Sequence, residues 1–184
     1  QKTYYAWMLV LQSAMVGVFS ARDIIFFYIC FEFTLVPMFI MISLWGSTNR
    51  RKAAIKFFLY TFTGSVIALA GLVYVAYVNT TRSGYVGAGT WTFDIAVLER
   101  TAAMMSSREQ GWVLLALLAG FAVKVPLFPV HTWLPLAHTE APTAGSVILA
   151  GVLLKLGTYA LYRFVLPFVP VAVVEYAPAI AVLC

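Results

Sequence analysis

Six stretches of this sequence carry no charged side chain at all: residues 3–21, 33–49, 57–81, 110–123, 125–139 and 141–154. A helix needs ~20 mostly apolar residues to cross ~30 Å of hydrocarbon, and several of these runs reach that length. Only 10% of the 184 residues are charged and 62% are apolar, whereas a soluble domain carries about 25% and 45–50%. Backbone polar groups in lipid must be satisfied within the segment, which helices do and open strands do not. The predicted fold class is therefore all-α, a polytopic transmembrane helix bundle.

The runs and their punctuation place the spans at about 3–20, 24–45, 53–78, 111–137, 143–163 and 171–184. The turn Ala21-Arg22-Asp23 separates the first two, and the polar cluster GSTNRRK (46–52) ends the second. Residues 79–110 form an extramembrane connection, with Gly84, Gly87 and Gly89 marking loop and WTFDIAVLERTAAMM (91–105) reading as an amphipathic interfacial helix. Pro142 suits the first position of the fifth helix. The dense basic loop Arg50-Arg51-Lys52 favours a cytoplasmic side for 46–52. Gln1 opens no charged n-region, and AIAVLC ends the sequence inside an apolar run. The expectation is an internal stretch of a longer membrane protein.

The net charge of +5 is spent on loop cations, so no basic surface remains for nucleic acid. The two cysteines, Cys30 and Cys184, supply no disulfide framework and no CxxC metal site. Ligands for a c-type haem or an iron–sulfur cluster are missing. A phosphate-cradling glycine loop is missing too.

Three charges sit where they are costly. Glu32 lies nine residues past Asp23, roughly 13 Å along a helix at 1.5 Å per residue. Lys124 lies thirteen residues past Gly111, roughly 20 Å in. Lys155 lies roughly 18 Å from one end of its span and 12 Å from the other. None is placed to snorkel comfortably. A buried ion pair that only fixes packing would be matched, yet two lysines face one glutamate, and an unpaired ammonium in lipid costs several kcal/mol. The functional reading is a proton relay, in which a moving carboxylate switches an amine between charged and neutral. Moving one charge against 150 mV costs roughly 3.5 kcal/mol, and a three-unit change in proton affinity is worth about 4 kcal/mol, so the sizes match.

The stretch FAVKVPLFPVHTWLPLAHTEAPTAG (121–145) breaks its own helix. Pro126, Pro129 and Pro135 each remove a backbone donor and clash with the preceding turn. Non-helical backbone survives at membrane depth only where protein buries it or water lines it, and broken helices with polar residues mark sites in ion-coupled transporters. A hydrated pocket beside Lys124, His131 and His138 is expected. The histidines are seven apart and would share a face if the helix resumed after Pro129. A relay role fits a group titrating near neutral pH; a hydrogen-bonded interface histidine is the plainer alternative for each. Haem ligation would need a histidine from a second helix, and the sequence has none. Glu140 reads as a helix-terminus or loop residue and Lys56 as a snorkelling anchor. Small Gly145, Ala150 and Gly151 suit close helix contact.

FEFTLVPMFIMISLWG, RKAAIKFFLYTFTGS and FAVKVPLFPVHTWLPLAHTEAPTAGSVILAGVLLKLGTYALYRF together resemble the antiporter-like, proton-translocating membrane subunits of respiratory complex I (NADH:quinone oxidoreductase). The resemblance implies part of an inverted-repeat transporter fold, its first five-helix repeat. It implies that Glu32 and Lys124 form a pair whose separation gates proton uptake, that Lys155 passes charge onward, and that His131 and His138 assist. It implies other membrane subunits, the lipid bilayer, protons and internal water as partners. No cofactor is expected on this chain, since NADH, flavin, iron–sulfur clusters and quinone are implied only in partner subunits. The implied location is a multi-pass position in the bacterial cytoplasmic membrane, or else the mitochondrial inner membrane. Alternative readings are a subunit of a multisubunit cation/proton antiporter or membrane-bound hydrogenase, and a structural membrane scaffold.

Overall fold

The computed structural model describes residues 2–85 and 88–183; Gly87 and Cys184 lie outside them. Nine helices follow one another among the described residues: α1 (Lys2–Ser20), α2 (Ile24–Phe33), α3 (Leu35–Trp45), α4 (Arg50–Thr81), α5 (Ile95–Ala103), α6 (Ser107–Lys124), α7 (Trp133–Glu140), α8 (Thr143–Phe168) and α9 (Pro170–Leu183). The fold is all-α. By length and composition three units can cross a membrane: Ile24–Trp45 (α2 with α3), α4 and α8. Helix α6 has the length, but Arg108, Glu109 and Lys124 fall within its 18 residues. Helix α1 is diluted by Lys2, Tyr4, Tyr5 and Gln12.

Local chemistry sets the ends. The Asp23 carboxylate accepts from the Ile25 and Phe26 amides and starts α2. Asp94 accepts from Ala96 and Val97 and starts α5. Each satisfies amides that a helix start leaves without partners. The two caps are joined, because the Ile24 amide donates to the Phe93 carbonyl and the Ile95 amide to the Arg22 carbonyl. Ser106 and Glu109 form a reciprocal capping box on α6. Gly84 and Gly89, with φ of +98° and +84°, turn the connection between α4 and α5.

Several boundaries differ from the sequence reading, each for a local reason. Helix α4 runs three residues beyond 53–78 at either end: Arg50 and Arg51 are good helix formers, and at the other end the Thr80 and Thr81 hydroxyls donate to the Ala76 and Tyr77 carbonyls. The capping box moves the start of α6 from 111 back to Ser107. The segment read as an interfacial helix over 91–105 is helical only over Ile95–Ala103, and Ile95, Leu98, Thr101 and Ala102 are buried against the bundle. Pro142 precedes the first turn of α8 rather than occupying it. That helix continues past 163 to Phe168, through π-helical turns at Leu149–Leu153 and Leu161–Val165. The single span at 24–45 is two helices, because Pro37 has no amide for the Phe33 carbonyl and its ring crowds that turn. The chain turns at Thr34.

Helix α4 packs on α6 through small residues, as lipid-embedded helices must when no hydrophobic force pulls them together. A Cβ added at Gly120 would lie 2.5 Å from the Ala68 Cβ and 2.6 Å from the Gly64 carbonyl oxygen. At Gly111 it would meet only the Tyr176 ring, at 3.6 Å. Around this seam, Phe27, Phe31, Phe121, Phe164 and Phe168 from α2, α6 and α8 form one buried aromatic core. Gly120→Ala is expected to cost about 1–3 kcal/mol by overpacking, and Gly111→Ala close to nothing. Thermal midpoints of the two variants in detergent check this; equal midpoints would contradict the close crossing.

Candidate functional site

Two helix breaks meet in the middle of the bundle. In the first, the turn at Thr34 leaves the Phe31 carbonyl without its usual helical donor. The Thr34 hydroxyl takes it at 2.7 Å. In the second, α6 stops at Lys124 and α7 starts only at Trp133. Pro126 and Pro129 deny two donors in that gap. The connection closes with irregular bonds instead: the Leu127 amide to the Ala122 carbonyl, Val130 to Leu127 and Leu134 to His131. The last of these serves the His131 carbonyl, whose regular donor would have been the missing amide of Pro135.

Lys124 is the point where the breaks touch. It is 4% exposed. Its Nζ donates to the Phe31 carbonyl at 3.3 Å and lies 3.5 Å from the centroid of the Phe31 ring. Glu32 is the next residue along α2. Its carboxylate interacts electrostatically with Lys124 and lies near the Ser65 hydroxyl. That hydroxyl donates instead to the Phe62 carbonyl, and both buried carboxylate oxygens are without a hydrogen-bond partner among the described residues. The enclosed carboxylate of half-buried Glu32 and the buried amine of Lys124 are thus neighbours without a closed ion pair.

The other predicted residues sit apart. Lys155 is exposed on the outer face of α8, its Nζ donating to the Ala150 carbonyl at 3.2 Å. The face of α8 that meets Lys124 is at Gly157, where an added Cβ would lie 3.1 Å from the Lys124 Cβ. Two residues on a helix of 3.6 per turn are about 200° apart, so Lys155 points away from Lys124. The helix resumes at Trp133 and not after Pro129, so His131 precedes α7 while His138 lies within it. The shared helical face expected for the histidines does not form. His131 lies beside the Phe128 ring at 5.8 Å, and its buried Nδ1 has no partner among the described residues. His138 accepts the Ser146 hydroxyl on its carbonyl at 3.1 Å. Among the described residues no cluster of three or more His, Cys, Asp or Glu could hold a metal ion.

Residues outside the predicted set hold the break in place. Lys56 is more than an anchor near a helix end. Its Nζ donates to the Thr132 carbonyl at 2.9 Å and sits over the Tyr60 ring, while the Thr132 hydroxyl reaches Tyr60 Oη at 3.3 Å. The buried Trp133 indole donates back across the gap to the Val123 carbonyl at 2.9 Å. Glu140 ends α7 against the 46–52 loop, its side chain accepting from the Asn49 amide and its carbonyl from Ser47. Spacing gave no sign of the Lys56–Thr132 bond, which spans 76 residues; Pro37 was the available signal for the first break.

Residues 21–184 match the family model described as NADH:quinone oxidoreductase/Mrp antiporter, TM. The chain is 48% identical over 180 residues to the NADH-ubiquinone oxidoreductase chain 4 of Prototheca wickerhamii, covering 97% of this chain and 32% of that one. It is 47% identical over 171 residues to the NADH-quinone oxidoreductase subunit M of Rhodobacter capsulatus, covering 92% and 33%. It superposes on a chain of respiratory complex I from Thermus thermophilus with a TM-score of 0.84 and 31% identity, covering 98% of this chain and 36% of that one. The chain thus spans about a third of the length of the curated relatives it matches.

Loss of the Lys56 contact should loosen the break selectively. In Lys56→Met, which keeps the stem and removes the donor, amide hydrogen exchange over 127–134 is expected to rise about fivefold or more, for a charged hydrogen bond worth ~1.5 kcal/mol or somewhat less at this half-buried site. Exchange in α4 and α6 should stay unchanged. Unaltered exchange over 127–134 would show that Trp133 alone holds the segment.

Proposed function

We propose that this chain, which belongs to the NADH:quinone oxidoreductase/Mrp antiporter transmembrane family, is the proton-uptake half of a translocating membrane subunit in a complex I-type assembly. Glu32 and Lys124 are its switch. Lys155, His131 and His138 serve the transfer on either side. The chain binds no cofactor; NADH, flavin, iron–sulfur clusters and quinone belong to other subunits, and the energy arrives through the helices.

One observation carries this reading. Lys124 is enclosed, Glu32 is beside it, and no direct ion pair joins them. A scaffold that buried two opposite charges for packing alone would close them onto each other, because a buried pair repays its desolvation only with good geometry and full hydrogen bonding. An open pair next to two helix breaks is an arrangement with two nearby states. Closing it favours the charged amine, and opening it weakens the amine's hold on its proton, which can then leave toward the break. The outward position of Lys155 fits transfer onward to protein that covers that face, since a bare ammonium facing lipid at this depth is costly.

In the full-length protein within its assembled complex, Lys124→Ala is expected to lower coupled proton translocation at least tenfold with normal assembly on native gels. Loss of assembly in parallel with activity would instead mark a structural pair.

A further inference from the structure

We propose that Phe31 is a positioning residue for the relay: its ring face and its main-chain carbonyl form the station that holds the Lys124 ammonium when it is released from Glu32. This rests on the reading of Glu32 and Lys124 as the switch, and it adds where the amine goes when the switch is open.

The station is built from both helix breaks. The turn at Thr34 turns the Phe31 carbonyl into an acceptor for side chains, and it receives both the Thr34 hydroxyl and Lys124 Nζ. The ring offers a second, electrostatic acceptor on its face, 3.5 Å from Nζ, and a desolvated cation gains most from such a face. The ring itself is fixed. It is 1% exposed, stacks on Phe27 at 5.2 Å and takes Phe121 edge-on at 6.0 Å. Its orientation is therefore preset before the ammonium arrives. Glu32 is the adjacent residue on α2 and its carboxylate interacts electrostatically with Lys124, so the two stations lie side by side along the helix for the long lysine stem. An aliphatic side chain at position 31 would fill the same core but leave the released ammonium with one carbonyl, driving it back onto Glu32 and closing the pair.

The test replaces Phe31 by mono-, di- and trifluorinated phenylalanine in the full-length protein within its complex. Fluorination drains the ring face of electron density and barely changes its shape. Coupled proton translocation in proteoliposomes should fall stepwise with fluorine count, on the order of tenfold across the series, while complex content stays constant. Rates that ignore fluorination overturn the station, because a merely structural ring would give that flat response. Lys124→Ala in the same membranes separates the two claims. If it abolishes translocation while the fluorinated series is flat, the switch stands and the station falls; if it is harmless, both fall.

Discussion

The fold turns on an enclosed ammonium that is answered without a carboxylate. Lys124 is met by the carbonyl and the ring of Phe31, and the enclosed carboxylate of Glu32 is left beside it rather than bound to it. That arrangement requires two interruptions at one level. Without the turn at Thr34 the Phe31 carbonyl would be consumed by its own helix. Without the stop at Lys124, continuation of α6 would leave no room for the irregular chain to His131. Each break costs regular backbone hydrogen bonds; protein buries the first at Thr34, whereas Phe128, Pro129 and Thr132 of the second are exposed, where protein or water must satisfy the backbone at membrane depth.

Rigid and yielding parts are kept separate. The α4–α6 seam is set by Gly64, Ala68 and Gly120 at near-contact backbone distance, and the phenylalanine core locks α2, α6 and α8 around it. A close-packed interior of this kind has discrete arrangements and does not deform continuously. The break beside it is held by a few polar contacts, those of Lys56, Tyr60 and Trp133. The proposed relay would use this division: a frame that keeps depth and spacing, and a short segment whose bonds can be exchanged.

Much of this was legible in the sequence and some could not be. Charge-free runs give the helices because lipid admits no other backbone solution. Lys124 and Glu32 announce themselves by their cost, and Pro126, Pro129 and Pro135 by their missing amides. Depth along a helix says nothing, however, about the side to which a residue points. Lys155 looked equivalent to Lys124 by depth, yet it faces outward because Gly157, two residues on, takes the contact with α6. The histidines were tied to a helix restart that came four residues later than Pro129. Thr34 and Phe31 were obscured by an apolar run in which Pro37 was the single clue. Lys56 resembled an end-of-helix anchor because its partner, Thr132, is remote in sequence.

The most direct measurement is a pair of high-resolution maps of the intact assembly, at rest and during turnover, in which Lys124 Nζ, the Glu32 carboxylate and the intervening water are resolved. Two positions of Nζ are predicted, one against Phe31 and one against Glu32, with water reaching the 125–132 segment in at least one of them. A single dry arrangement, unchanged between the two conditions, would contradict the account and leave these charges as architecture.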